Sequence, residues 1–192
     1  MEASLRKAFT QIKREDFTPG ELKEFADIDE ALPIGWGQTI SQPFTVAFML
    51  EKLEPQADQK ILDIGSGSGW TTALLAHVVG LRGKVVAIEV IPHLKEFGEK
   101  NVAKYNFIEK GIVEFLCRNG ADGYAKDAPY DGILVSASLP KKELPLAWKQ
   151  QLKIGGKIVV PIQNSIWVFT KTDEHTFGEQ EHPGFVFVPF VS

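Results

Sequence analysis

The stretch Lys60-Ile61-Leu62-Asp63-Ile64-Gly65-Ser66-Gly67-Ser68-Gly69-Trp70 decides the fold. Lys60–Ile64 reads as a buried strand. The three alternate glycines let the backbone turn tightly and let a ligand approach closely. WTTALLAHVV then reads as a helix with Gly80 near its C-terminus. A glycine cluster alone is equally an ordinary strand-to-helix turn. Here the next strand, Lys84–Glu89 (KVVAIE), ends in an acidic residue. Glu89 can accept two hydrogen bonds from ribose hydroxyls, so the pair favours a nucleoside-containing ligand over a bare turn. No lysine follows the last glycine, which excludes a Walker loop, and Trp70 stands where GxGxxG needs glycine or alanine, so a pyrophosphate is poorly served.

Outward from this centre the chain alternates. Pro92–Tyr105 is expected as a helix, and Ile112–Leu116 and Gly132–Val135 as strands. Glu143–Leu152 reads as a helix despite Pro145, and Gly155-Gly156 as the turn into KIVVPI. Ile166–Thr170 and Phe185–Val191 are expected to pair as a terminal hairpin around the polar loop 172–183. Alternation of strands and helices implies an α/β, doubly wound, mostly parallel sheet, with ligands at the carboxyl ends of its strands. Upstream, Leu5, Ala8, Phe9 and Ile12 fit one face of a helix. A turn-rich loop, Leu32–Gly37, comes next, and Pro43 opens a second helix with Ser41 placed to cap it. The polar, proline-bearing join 54–58 divides a helical cap, 1–58, from an α/β core, 59–192.

Composition bounds the function. Of the 192 residues 44% are apolar, enough for a sizeable core, and the net charge is −4. No face is strongly basic, so nucleic acid is not an expected partner. Cys117 is the single cysteine, read as an inert core residue, so no intrachain disulfide or cysteine-based zinc site forms. No apolar run approaches the ~18 residues that span a bilayer, and the N-terminus does not read as a signal peptide. A soluble, cytoplasmic, monomeric protein with no membrane partner is expected.

Two strings carry chemistry besides the glycine loop. Asn119-Gly120 follows the third core strand; it is either a plain turn or places the Asn119 oxygen beside an adenine amine. Gly37-Gln38-Thr39-Ile40-Ser41-Gln42-Pro43 concentrates hydroxyls, an amide and a helix start. It is either a capped helix or an anion pocket in which a hydroxyl and helix-start N–H groups face a carboxylate. His77, His93, His175 and His182 form no metal-ligand spacing. Taking Ser66 or Ser68 as a hydrolase nucleophile leaves Glu89 unexplained.

The GxGxG form is similar to motif I of S-adenosylmethionine-dependent methyltransferases, whose cofactor has no phosphate to clamp. The chain as a whole resembles the protein-L-isoaspartate O-methyltransferase family. The matching strings are LRKAF with KREDFTP, LPIGWGQTISQPF, ILDIGSGSGWTTALLA, VVAIEVIP, APYDGILVSA, QLKIGGKIVVPI and FVFVPF, in the family's order over nearly the whole chain. GQTISQP is the specific one. The resemblance implies a Rossmann-like class I fold with a C-terminal antiparallel hairpin and an N-terminal helical cap. It implies that S-adenosyl-L-methionine is held by Asp63, Gly65, Ser66, Gly67, Gly69 and Glu89, with Asn119 and Gly120 near the adenine. Ser41 is implied as the active-site serine, with Thr39, Ile40, Gln42, Val186 and Val188 bordering an isoaspartyl peptide. The implied activity is methylation of isoaspartyl side carboxylates in damaged proteins, giving S-adenosyl-L-homocysteine and an ester that cyclises and reopens as repair. Arg118-Asn119-Gly120 departs from the family's Gly-Asp-Gly, and Trp70 from its tyrosine. Two other readings share these residues: a carboxyl methyltransferase with another substrate, and a cofactor-binding module without turnover. Ser136-Ala137-Ser138-Leu139-Pro140, where amino-group methyltransferases carry Asn/Asp-Pro-Pro-Tyr/Phe, argues against that class.

Overall fold

The computed structural model describes residues 2–191. In chain order the elements are α1 (Ala3–Gln11), β1 (Leu32–Gly35), β2 (Gln38–Ile40), α2 (Pro43–Leu53), β3 (Lys60–Ile64), α3 (Trp70–Val79), β4 (Lys84–Glu89), α4 (Pro92–Ala103), β5 (Val113–Cys117), β6 (Tyr130–Val135), α5 (Leu146–Gln151), β7 (Leu152–Ile162), β8 (Ser165–Lys171) and β9 (Phe177–Pro183), with short 3₁₀ turns between several of them. The main sheet runs β5-β4-β3-β6-β7-β8-β9. Its first five strands are parallel and its last two antiparallel.

Alternation along the strands sorts the core into two layers. Ile61, Val85, Ala87, Leu134 and Val159 pack under α1–α4, while Leu62, Ile64, Val86, Ile88, Ile133 and Val160 face Trp148, Tyr130 and Leu152. Leu5 and Ala8 of α1 and Val46, Met49 and Leu50 of α2 join the first layer, so the N-terminal helices complete the covering of the sheet. Among the described residues no helix is long and apolar enough to cross a membrane.

The expected strand-loop-helix centre is observed residue for residue over β3, α3 and β4. Four expectations are corrected. Leu32–Gly37 is not a plain loop: it forms the β1–β2 hairpin, closed by Trp36 and Gly37 at φ 51° and 71°. Both positive angles match the twist of a two-residue hairpin turn, and Gly37 satisfies this at no steric cost. The strand paired with β8 is the polar segment Phe177–Pro183, not Phe185–Val191. β9 is a sheet edge, where exposed Glu179 and Glu181 keep other strands away. The apolar tail instead crosses the carboxyl ends of the strands, tied by hydrogen bonds between Ser138 and Val188 and between Ser138 and Phe190. Gly155-Gly156 lies inside β7, which starts as soon as α5 ends; the register beside β6 shifts there to absorb the extra residues. Cys117 is exposed rather than buried, because it ends the outermost parallel strand.

One glycine sets how closely a helix can approach the centre. A Cβ on Gly98, in α4, would lie 2.6 Å from the Gly67 carbonyl oxygen. Gly98→Ala is therefore expected to lower stability by about 1–3 kcal/mol through overpacking. It should also displace the glycine loop, so thermal unfolding and ligand titration would both register it.

Candidate active site

The carboxyl ends of β3, β4 and β6 meet beneath the glycine loop. The N–H groups of Gly65 and Ser66 donate to Ile88 O at 2.8 and 3.1 Å, so the loop laps over the end of β4. Glu89 fastens it there: Oε2 accepts from Gly67 N–H at 2.9 Å and Oε1 from Ile91 N–H at 3.0 Å. Opposite stands the β1–β2 hairpin. Ile34 Cδ1 lies 3.2 Å from where a Gly67 Cβ would stand, and Trp36 stacks on His93 at 5.2 Å, beyond β4.

Between loop, hairpin and tail lies a cavity of about 780 Å³ including its mouth. Its wall holds Thr39, Ile40, Ser41, Gly65, Ser66, Gly67, Glu89, Gly120 and Val188 from the residues expected at the site. A second cavity, open to solvent, holds Gln42 and Val186. Thr39, Ser41, Ser136 and Val188 line both, so the two spaces adjoin at these four residues. Three expected residues stay off the wall. Gly69 faces α4. Asn119 turns its oxygen to the Ala121 N–H at 2.9 Å, which favours its reading as a turn former. Asp63 lies fully buried under the loop.

The wall carries one charge, Glu89, and no lysine or arginine among the described residues. A phosphate-bearing ligand would find no cation there. Three buried polar atoms around the glycine loop lack a protein partner: Asp63 Oδ1, Ser66 Oγ and Trp70 Nε1. Buried polar atoms are ordinarily paired, and of these three residues Ser66 and Trp70 are on the cavity wall. A nucleoside with an amino-acid arm supplies polar groups without phosphate.

Sequence reasoning missed what anchors the acceptor side. Arg14 is only 6% exposed, and its guanidinium gathers backbone carbonyls from two segments, 26–30 and 40–41. Nη1 donates to Ala26 O (2.9 Å) and Ile28 O (3.2 Å), and Nη2 to Glu30 O (2.7 Å), Ser41 O (3.2 Å) and Ile40 O (3.4 Å). Its Cζ sits 5.5 Å from the Trp70 ring centroid, so the same group reaches the start of α3. Burial pulls the Arg14 pKa down, opposed by Asp29 and Asp27. A lone arginine in a polar stretch has no periodic signal in sequence, so nothing marked it. Trp36 is 57% exposed at the hairpin tip, whereas Trp148 is buried and donates to Gly120 O at 2.8 Å.

Ser41 does not cap α2. The helix begins after Gln42, and its Phe44 N–H donates to Asp29 Oδ1 at 2.8 Å. Gln42 is also occupied: Nε2 donates to Asp29 Oδ2 (3.1 Å) and Oε1 accepts from Thr45 Oγ1 (3.1 Å).

Comparison with known proteins places this geometry. A profile described as "Protein-L-isoaspartate(D-aspartate) O-methyltransferase (PCMT)" matches residues 1–192. The chain belongs to that family. A relative named protein-L-isoaspartate O-methyltransferase from Methanopyrus kandleri is 38% identical over 189 residues, covering 96% of this chain and 82% of its own. One of the same name from Staphylothermus marinus is 38% identical over 194 residues, covering 96% and 84%. A solved structure of that name overlays with a TM-score of 0.88 at 30% identity, covering all of this chain, which spans 62% of the solved one. A Plasmodium falciparum structure in complex with S-adenosyl-L-homocysteine overlays with a TM-score of 0.87 at 22% identity, showing a shared fold. The class I, Rossmann-like architecture and family membership are thus established from independent directions.

Burial raises the Asp63 pKa from 3.8 to about 6, against hydrogen bonds from Thr72 and Thr71 that favour the carboxylate, with Glu89 adding to the rise. The folded chain therefore holds this proton more tightly than the unfolded one. Stability from this group falls as pH rises from 3.8 to about 6 and is level above. Asp63→Asn keeps an acceptor for Thr72 and cannot titrate. Its melting temperature relative to the parent should climb across that interval and then hold steady.

Proposed function

We propose that the chain methylates the side-chain carboxylate of L-isoaspartyl residues in peptides and damaged proteins, with S-adenosyl-L-methionine as donor. The observation that carries this reading is that two cavities, one bounded by the glycine loop and Glu89 and the other by the tail, meet at Ser41. When bound, S-adenosyl-L-methionine supplies a methyl carbon made electrophilic by its sulfonium. Glu89 at the end of β4 would hold the ribose, and Asp63, Ser66 and the Gly65–Gly67 backbone the amino-acid arm. Gly120 would border the adenine end, with Asn119 shaping the turn behind it, and the unpartnered Ser66 oxygen on the wall fits this assignment.

The chemistry asks little of the protein beyond placement. An isoaspartyl carboxylate has an ordinary pKa of about 4 and is ionised at neutral pH. With the donor bound, the methyl would pass to one carboxylate oxygen, the bond to carbon forming as the carbon–sulfur bond is given up with its electron pair left on sulfur. No proton moves, so no general base is needed, in keeping with a wall whose one ionisable group is Glu89. The Ser41 hydroxyl donates to the other oxygen and turns the reacting one toward the donor. Alignment of this kind is worth up to ~7–11 kcal/mol. Ile34, Ile40 and Val188 give the wall beside Ser41 an apolar character, and a hydrogen bond from Ser41 is stronger in such surroundings than in water.

The extended tail selects the peptide. Val186 is 86% exposed beside the second cavity, and Phe185 is braced by Phe48 at 4.9 Å. A peptide laid along it is read by backbone register, which an isoaspartyl link alters by one carbon. The exposed free thiol of Cys117 suits a reducing, cytoplasmic setting.

A methyl-transfer assay on an isoaspartyl peptide and its aspartyl twin tests the reading: turnover is expected on the first alone, and none on either would refute it. Ser41→Ala should lower kcat/KM roughly 10- to 100-fold, the worth of a hydrogen bond to a charged group, with affinity for S-adenosyl-L-homocysteine unchanged in calorimetry. Glu89→Ala should weaken that affinity roughly tenfold or more, since it removes the ribose acceptor and frees Gly67 N–H.

A further inference from the structure

We infer that Asp29 is a positioning residue, whose capping of α2 from outside the helix keeps the Ser41 hydroxyl available to substrate. The inference rests on the carboxylate-holding role proposed for Ser41. A helix start leaves its first N–H groups without intrahelical partners, and a hydroxyl a few residues upstream is a usual acceptor for them. At α2 the first helical residue is Pro43, which has no N–H, so Phe44 carries the first donor that needs a partner. Ser41 precedes Phe44 by three residues, the spacing at which a serine oxygen folds back onto the backbone. The helix as written thus invites Ser41 to cap it, and a serine so engaged faces the backbone instead of a ligand.

The structure resolves this competition with a residue 15 positions away. Asp29 Oδ1 accepts from Phe44 N–H at 2.8 Å, and Oδ2 accepts from Gln42 Nε2 at 3.1 Å. The Asp29 backbone carbonyl also accepts from Gln42 Nε2, at 2.9 Å. Asp29 adds a negative charge at the positive end of the helix dipole, which a serine cap would not. None of these bonds uses the Ser41 hydroxyl, and Ser41 lines both cavities.

The placement of Asp29 is itself held. Arg14 binds the carbonyls of Ala26, Ile28 and Glu30, on both sides of Asp29, and the Ser41 carbonyl. One guanidinium therefore fixes the distance between the capping carboxylate and the backbone of the serine it relieves. Loss of the Asp29 carboxylate leaves Phe44 N–H without its partner, and the Ser41 oxygen is the near acceptor that can replace it.

The test is a double-mutant cycle on kcat/KM for an isoaspartyl peptide, with S-adenosyl-L-homocysteine affinity measured in parallel. Asp29→Ala in the parent should reduce kcat/KM roughly tenfold, mainly through KM. In the Ser41→Ala background the same change should cost less than about twofold, because the group it acts through is gone. Cofactor-product affinity should hold in all variants. Asp29→Asn keeps a capping oxygen and should restore most of the activity. A crystal structure of Asp29→Ala should show Ser41 Oγ within hydrogen-bond distance of Phe44 N. Equal losses in both backgrounds would overturn the inference and assign Asp29 a general structural role. Full activity of Asp29→Ala would overturn it too, as would a Ser41 rotamer unchanged in that structure. If Asp29→Ala does not fold, Asp29→Asn decides: a loss as deep as that of Ser41→Ala refutes the capping role. Absence of isoaspartyl turnover in the parent enzyme would instead strike the underlying function.

Discussion

A buried guanidinium anchored on backbone carbonyls governs the arrangement of this molecule. The two terminal nitrogens of Arg14 donate to five backbone carbonyls, and its Cζ lies over the face of Trp70. Burying a cation is costly unless its hydrogen bonds are made, so the carbonyls of Ala26, Ile28, Glu30, Ile40 and Ser41 must converge on it. All but that of Ile40, which ends β2, belong to backbone outside the sheets, with no ladder of its own to fix it. Trp70, on the other side, is the first residue of the helix that leaves the glycine loop. Through one side chain, the segment facing the acceptor is held in register with the loop facing the donor.

A second constraint comes from the sheet. Parallel strands bring the ends of β3, β4 and β6 to one edge, and the backbone groups that run off those ends must find partners. They find them in each other: Gly65 and Ser66 on Ile88, Ser136 on Ile64, Arg118 on Glu89. Glu89 contributes its side chain to the same purpose while still facing the cavity. A carboxylate has more lone pairs than the two N–H groups it accepts here, so it can brace the loop and meet ribose hydroxyls. The wall is thus stiff before any ligand arrives, which suits a reaction whose barrier is lowered by placement rather than by acid or base.

The tail completes the site from an unexpected direction. Its phenylalanines alternate as a strand would, yet β8 takes the polar segment 177–183 as its partner. Phe190 packs on Trp148, and Phe185 on Phe48 and Phe44. The apolar residues are more deeply covered across the mouth of the sheet than at an exposed edge, where a charged strand resists association. The result is an extended backbone beside the second cavity, with Val186 in solvent.

Periodicity and glycine placement in the chain alone determined the centre of the fold. The helix over residues 70–79 and the strands over 60–64 and 84–89 depend on local pattern, and local pattern is legible. Glu89 and the glycines were legible for the same reason, and Ser41 through its motif. Tertiary structure decided which polar groups are free and which are spent. That Asp29 rather than Ser41 caps α2, that Asn119 spends its oxygen on Ala121, and that Arg14 is buried are outcomes of pairing between residues distant or irregular in sequence. Such pairing follows from the need to satisfy every buried donor and acceptor, a condition that belongs to the folded whole and leaves no period in the chain.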